Sequence, residues 1–129
     1  MESSDPVPVR EVMSTPLTIV APDATLRDAA ITMRETDVSA LFVTASTPAV
    51  VTSTDIVAGI ADGAIPSERR VADVMTAQVE STPPDVSVRE AAAMMTSLGV
   101  KHLPVTADSV YGDDYVGMLS SSDITERFA

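Results

Sequence analysis

The sequence predicts an α/β fold built from two related β-α-β-β-α units. Three observations predict it. The chain repeats itself at a fixed offset; a helix-opening pattern precedes a helical apolar stripe in each copy; and the stretch VVTSTDIV (50–57) returns as MLSSSDIT (118–125). In both versions of that stretch an apolar run ends in a hydroxyl residue, with an aspartate three positions later.

Displacing the chain by 62 residues aligns Val12-Met13 with Val74-Met75, Pro22-Asp23 with Pro84-Asp85, and Ala29-Ala30 with Ala91-Ala92. The same shift aligns Met33 with Met95 and Val43-Thr44 with Val105-Thr106. The offset then grows to 68, because residues 107–116 (ADSVYGDDYV) are six longer than the matching ASTP. The repeats run over 9–63 and 71–129 and join near GAIPSERR, with residues 1–8 as an N-terminal tail.

Each unit opens on a short extended run, PLTIV or QVEST. A helix follows, started by Thr25-x-x-Asp28 or Ser87-x-x-Glu90, in which hydroxyl and carboxylate satisfy each other's free backbone N–H. Its buried face is Leu26, Ala29, Ala30 and Met33, or Val88, Ala91, Ala92 and Met95, at helical spacing. Asp37 and Gly99 fall at equivalent helix ends, and both residue types tolerate the left-handed conformation that closes a helix. The strands SALFVT and AVV, or KHLPVT and YVGML, come next, and the final helix starts in the quoted stretch. Pro104 cannot donate to a ladder and is expected at a bulge or an edge.

Composition bounds the function. At 129 residues, 45% of them hydrophobic, the chain supports one ordinary core and is expected to fold as one compact unit. There is no cysteine and one histidine, so thiol chemistry and Cys-based metal sites are excluded, and no metal site is expected on His102 alone. No apolar run reaches the length of a membrane span, and MESSDPVPVR lacks the basic start and apolar middle of a signal peptide. A cytoplasmic location is the simplest expectation. With 19 acidic against 8 basic residues the net charge is −11, which disfavours nucleic acid and anionic membranes as partners. Lys101 is the only lysine, and this aspartate-rich, lysine-poor balance is of a halophilic kind.

The VxxVM lead-in, the hLPV strand and the G-h-h-[ST]-x-x-D ending, in that order and twice over, resemble the cystathionine-β-synthase-type (CBS) domain. The resemblance covers nearly the whole chain as a tandem pair, a Bateman module. It implies pseudo-symmetric units packed sheet to sheet, a homodimer formed through helices such as 88–98, and adenosine-containing ligands in the cleft between units.

The pattern [ST]-x-x-[DE] occurs at Thr25, Thr32, Thr52, Thr82, Ser87 and Ser120, so on its own it reads as helix capping. Thr52 and Ser120 stand apart because they follow the last strand of each unit. There, the resemblance implies, the hydroxyl meets a phosphate and Asp55 or Asp123 accepts both ribose hydroxyls. A first site is then expected from Met118, Ser120 and Asp123, with Ser14, Ile19, Val38, Ser39 and Ala40 around the base and Lys101 and His102 toward the phosphates. A second takes Val50, Thr52 and Asp55, with Thr76, Val79 and Val100 around the base. Its phosphate end falls near uncharged Ser39 and Ala40, and Phe42 and Ala49 narrow it, so the first site is expected to bind phosphorylated ligands better. Arg69 and Arg70 read as solvated linker charges, and the pair Asp113-Asp114 as solvated acids.

Two functional classes follow. One is a regulatory module that senses AMP, ADP, ATP or S-adenosylmethionine and has no cofactor beyond that ligand. The alternative is a structural or interaction dimer with non-functional nucleotide pockets. An enzyme is not expected, for there is no nucleophile–base pair, ligand cluster or Gly-rich phosphate loop. With no effector domain within the chain, the regulated partner is expected to be another polypeptide. Self-repulsion at −11 opposes compaction, and the Debye length shrinks to about 3 Å only at about 1 M salt. Molar KCl is therefore expected to raise the unfolding midpoint in a circular dichroism melt; equal midpoints at low and high KCl would show that the acidic surface imposes no such cost.

Overall fold

The computed structural model describes residues 6–107 and 114–128. Within them lie six strands, β1 (Ile19–Val20), β2 (Ala40–Val43), β3 (Ala49–Thr52), β4 (Thr76–Ala77), β5 (His102–Thr106) and β6 (Tyr115–Ser120). The helices are α1 (Leu26–Thr36), α2 (Ser53–Ala61), α3 (Val88–Leu98) and α4 (Ser121–Phe128), with 3-10 turns at Val9–Glu11 and Val71–Asp73.

Contacts divide the chain into two compact units, and the division does not follow the repeats. Residues 6–17 group with the described residues from Glu80 onward, while Thr18–Val79 form the other unit. In the latter, β1 pairs parallel with β2, β2 antiparallel with β3, and β3 antiparallel with β4. β4 and the turn before it belong by sequence to the second repeat. The other unit mirrors this: Ser14, from the first repeat, bridges antiparallel to Met118 in β6. Each VxxVM lead-in is thus lodged on the opposite repeat.

Apolar side chains enforce the exchange. Leu26, Ala29, Met33, Leu41, Val43, Val51 and Ile56 cluster with fully buried Val71, and Val74 and Met75 pack on the same cluster. Ala91, Met95, Leu103, Val105 and Leu119 cluster with fully buried Val9, and Val12 and Met13 pack there. Burying one such Val or Leu contributes about 1.5–3 kcal/mol, so the two lead-ins are anchored strongly. In place of one expected core there are two clusters, one per unit.

Local sequence rules hold with four departures. Thr25 and Asp28 form both halves of the capping box, whereas Ser87 accepts from the Glu90 N–H at 3.1 Å without the return bond. Asp37 and Gly99 are left-handed, with φ of 55° and 70°. On the helix faces, Ala30 is exposed and Ala92 half-buried, because Leu26, Ala29 and Met33, or Val88, Ala91 and Met95, already fill the inward stripe.

The run QVEST does not form the expected strand. In the other unit Phe42 N–H donates to Thr18 O at 3.0 Å. Pro104 stands at the equivalent position and has no N–H, so that ladder bond is lost. What remains is a parallel bridge between Thr82 and Val105, made by Thr82 N–H to Pro104 O and Thr106 N–H to Thr82 O, both 3.0 Å. A left-handed backbone at Gln78 (φ 57°) ends β4 two residues after it begins. Nor is Pro104 at an edge: it is buried, pairs with Met118 on one side and accepts from Thr82 on the other. The register irregularity lies one residue on, between Val105 and Thr106.

Candidate functional site

The six [ST]-x-x-[DE] matches separate by position. Thr32 lies inside α1 and Thr82 in the bridge, so neither opens a helix. Thr52 and Ser120 end β3 and β6 and open α2 and α4 directly. At Thr52, its N–H donates to Asp55 Oδ2 at 2.9 Å and its hydroxyl accepts from the Asp55 N–H at 3.1 Å. At Ser120 the same two bonds join it to Asp123, both at 3.0 Å. Each aspartate is thereby fixed, half-buried, at the positive end of a helix dipole.

The neighbours repeat in the same order. The N–H of Ser53 donates to Ser39 O, and that of Ser121 to Lys101 O, both at 2.9 Å. Ala40 pairs with Thr52 in register, and His102 with Ser120. Thus Lys101 and His102 stand beside Ser120 and Asp123, and uncharged Ser39 and Ala40 stand beside Thr52 and Asp55. On the other side of the last strand, Thr76 pairs with Val50 and Ser14 with Met118.

Of the residues read for the first site, one unit holds Ser14, Lys101, His102, Met118, Ser120 and Asp123 together. Ile19, Val38, Ser39 and Ala40 belong to the other unit. Of those read for the second, Val50, Thr52, Asp55, Thr76 and Val79 share one unit, with Val79 N–H bonded to Pro48 O at 3.2 Å, and Val100 lies in the other. Ile19 and Val100 are 53% and 36% exposed, while Met118 and Val50 are buried.

Arg70 is taken by the fold: its guanidinium donates to Asp23 O at 2.7 Å and its backbone bridges Thr25. Asp113 lies outside the described residues. Among the described residues, no group of three or more His, Cys, Asp or Glu side chains could hold a metal ion. Nor, among those residues, is any helix long and apolar enough to cross a membrane.

Sequence reasoning underrated Gly117. A Cβ there would stand 2.8 Å from Ser14 O, 2.9 Å from Met13 Sδ and 3.2 Å from Thr15 Cγ2. Glycine in a strand interior marks such a close backbone approach, and that was the available signal. The Ser14 hydroxyl lies 3.4 Å from both Asp123 carboxylate oxygens.

This twofold arrangement matches a known family. The profile of the CBS domain matches residues 9–62 and 71–129. The chain belongs to the CBS domain family. No curated protein sequence matches it. Among solved structures, the hexameric CBS-CP12 protein from bloom-forming cyanobacteria is similar over 93% of this chain and 67% of its own, at 26% identity and TM-score 0.85. The CBS domain pair of protein MJ0100, in complex with 5′-methylthioadenosine and S-adenosyl-L-methionine, is similar over 96% and 97%, at 21% identity and TM-score 0.83. Hypoxic Response Protein I, with two coordinated zinc ions, is similar over 93% and 98%, at 27% identity and TM-score 0.74.

Proposed function

We propose that this CBS domain pair is a regulatory module that binds an adenosine-containing ligand, AMP, ADP, ATP or S-adenosylmethionine, and catalyses nothing. The observation that carries the reading is the twice-built turn in which Asp55 and Asp123 cap a helix through one oxygen and keep further acceptor positions for a ligand. A carboxylate has about four lone-pair positions, and a backbone N–H takes one. A ribose cis-diol can donate to two of those left, and the free N–H groups of the helix start suit a phosphate.

The ligand class comes from the pair of MJ0100, whose structure holds two adenosyl compounds. The site with Lys101 and His102 is the stronger for phosphorylated ligands, since Ser39 and Ala40 supply no cation to the other. The module acts as a homodimer on a separate effector protein, and the exposed Val57 and Ile60 of α2, Leu98 of α3 and Phe128 of α4 are apolar area that a second copy can cover.

Asp123→Asn tests the reading without removing the cap, because the amide oxygen can still accept from Ser120 N–H. The loss of charge weakens two charge-assisted bonds, each about 1.5–3 kcal/mol, so binding should fall at least about tenfold. Calorimetric titration with AMP, ATP and S-adenosylmethionine in molar KCl is expected to show that loss, and a smaller one for Asp55→Asn. Wild-type protein that binds none of the three would leave the structural dimer as its role, and a larger effect of Asp55→Asn would reverse the ranking of the sites.

A further inference from the structure

The two aspartate turns are alike in backbone and differ in one side-chain contact. The Ser14 hydroxyl sits 3.4 Å from both oxygens of Asp123. Thr76 occupies the same bridge position beside β3, yet no such contact joins it to Asp55 among the described residues.

The cause lies one residue back along the last strand. Gly117 has no Cβ, and the backbone of the lead-in passes through the space a Cβ needs, 2.8 Å away at Ser14 O. Two main-chain bonds hold it there, Ser14 N–H to Met118 O at 2.9 Å and Met118 N–H to Ser14 O at 3.1 Å. Ala49 is the equivalent residue in the other unit, buried and paired with Ala77.

We propose that Gly117 and Ser14 are a positioning pair that orients the Asp123 carboxylate for a ligand's cis-diol, making this the diol-selective site of the two. The inference rests on the ribose reading above and adds to it which residues set the selectivity. Counting acceptor positions explains how the pair works. Of about four on the carboxylate, Ser120 N–H takes one and the Ser14 hydroxyl is shared between the two oxygens, which leaves positions for the two ribose hydroxyls. The carboxylate is then held by two donors before ligand arrives. Among the described residues Asp55 accepts from the backbone N–H alone, so its carboxylate loses more freedom on binding.

The test uses the full chain carrying Asp55→Asn, which weakens the other site, with calorimetric titration of AMP and of 2′,3′-dideoxyadenosine monophosphate in molar KCl. Adding Ser14→Ala is expected to weaken AMP about three- to tenfold and to leave the dideoxy compound unchanged, because one modest hydrogen bond acting through the diol is lost. The lead-in stays in place in that variant, since its bonds to Met118 are main-chain. Ser14→Thr, which keeps a hydroxyl on the same carbon, should bind AMP within about twofold of its parent. Gly117→Ala should show the same diol-selective loss as Ser14→Ala. Equal weakening of both ligands by Ser14→Ala, or of neither, overturns the positioning role. A parent that fails to bind AMP at all instead overturns the ribose reading beneath it.

Discussion

The pairing of each lead-in with the last strand of the opposite repeat is the constraint on which the rest of the molecule depends. Ser14 and Met118 exchange two main-chain bonds, and Thr76 pairs with Val50 in the same sense. Through that exchange Val9 and Val71 enter cores that their own repeats do not build, and both are fully buried there. Neither repeat is therefore complete without a segment of the other. It also explains how the Asp123 turn inside one compact unit draws on both repeats: Ser14 precedes Asp123 by 109 positions, yet its hydroxyl lies at the carboxylate.

Stability and binding are written into the same few atoms. A strand that runs without a spacer into a helix leaves free N–H groups at the turn, and the Thr52–Asp55 and Ser120–Asp123 boxes satisfy part of them. The remaining N–H groups and the positive end of the helix dipole are what an anion requires. These act at contact distance. The net charge of −11 acts at long range and repels the same anion. In molar salt the long-range field is screened within about 3 Å while the local contacts persist, so such a site suits an acidic protein at high ionic strength.

Much of the fold was legible because its signals are local. The hydroxyl-to-aspartate spacing at Thr25, Thr52 and Ser120, the apolar stripe of α1 and α3, and the left-handed Asp37 and Gly99 follow from capping, period and backbone sterics. What the sequence hid was non-local. The offset of 62 places each VxxVM in front of its own repeat and carries no sign that it packs on the other. Pro104 was visible as a missing donor, but the partner it deprives, the QVEST run, became identifiable only beside the intact bond from Phe42 to Thr18. Asp55 and Asp123 were singled out by spacing and family resemblance, and each closes a helix-start box. The contact of Ser14 with Asp123 depends on the depth to which Gly117 admits the lead-in, a distance of tenths of an ångström that no pattern of residue types encodes.

The most direct test of the account is a backbone amide NMR titration of the full chain with AMP in molar KCl. The account predicts that the largest shifts fall on Ser14 and on Met118 through Asp123, with weaker ones on Thr52 through Asp55, all saturating with ligand. Saturable shifts confined to other surfaces, or none at these turns, would contradict it.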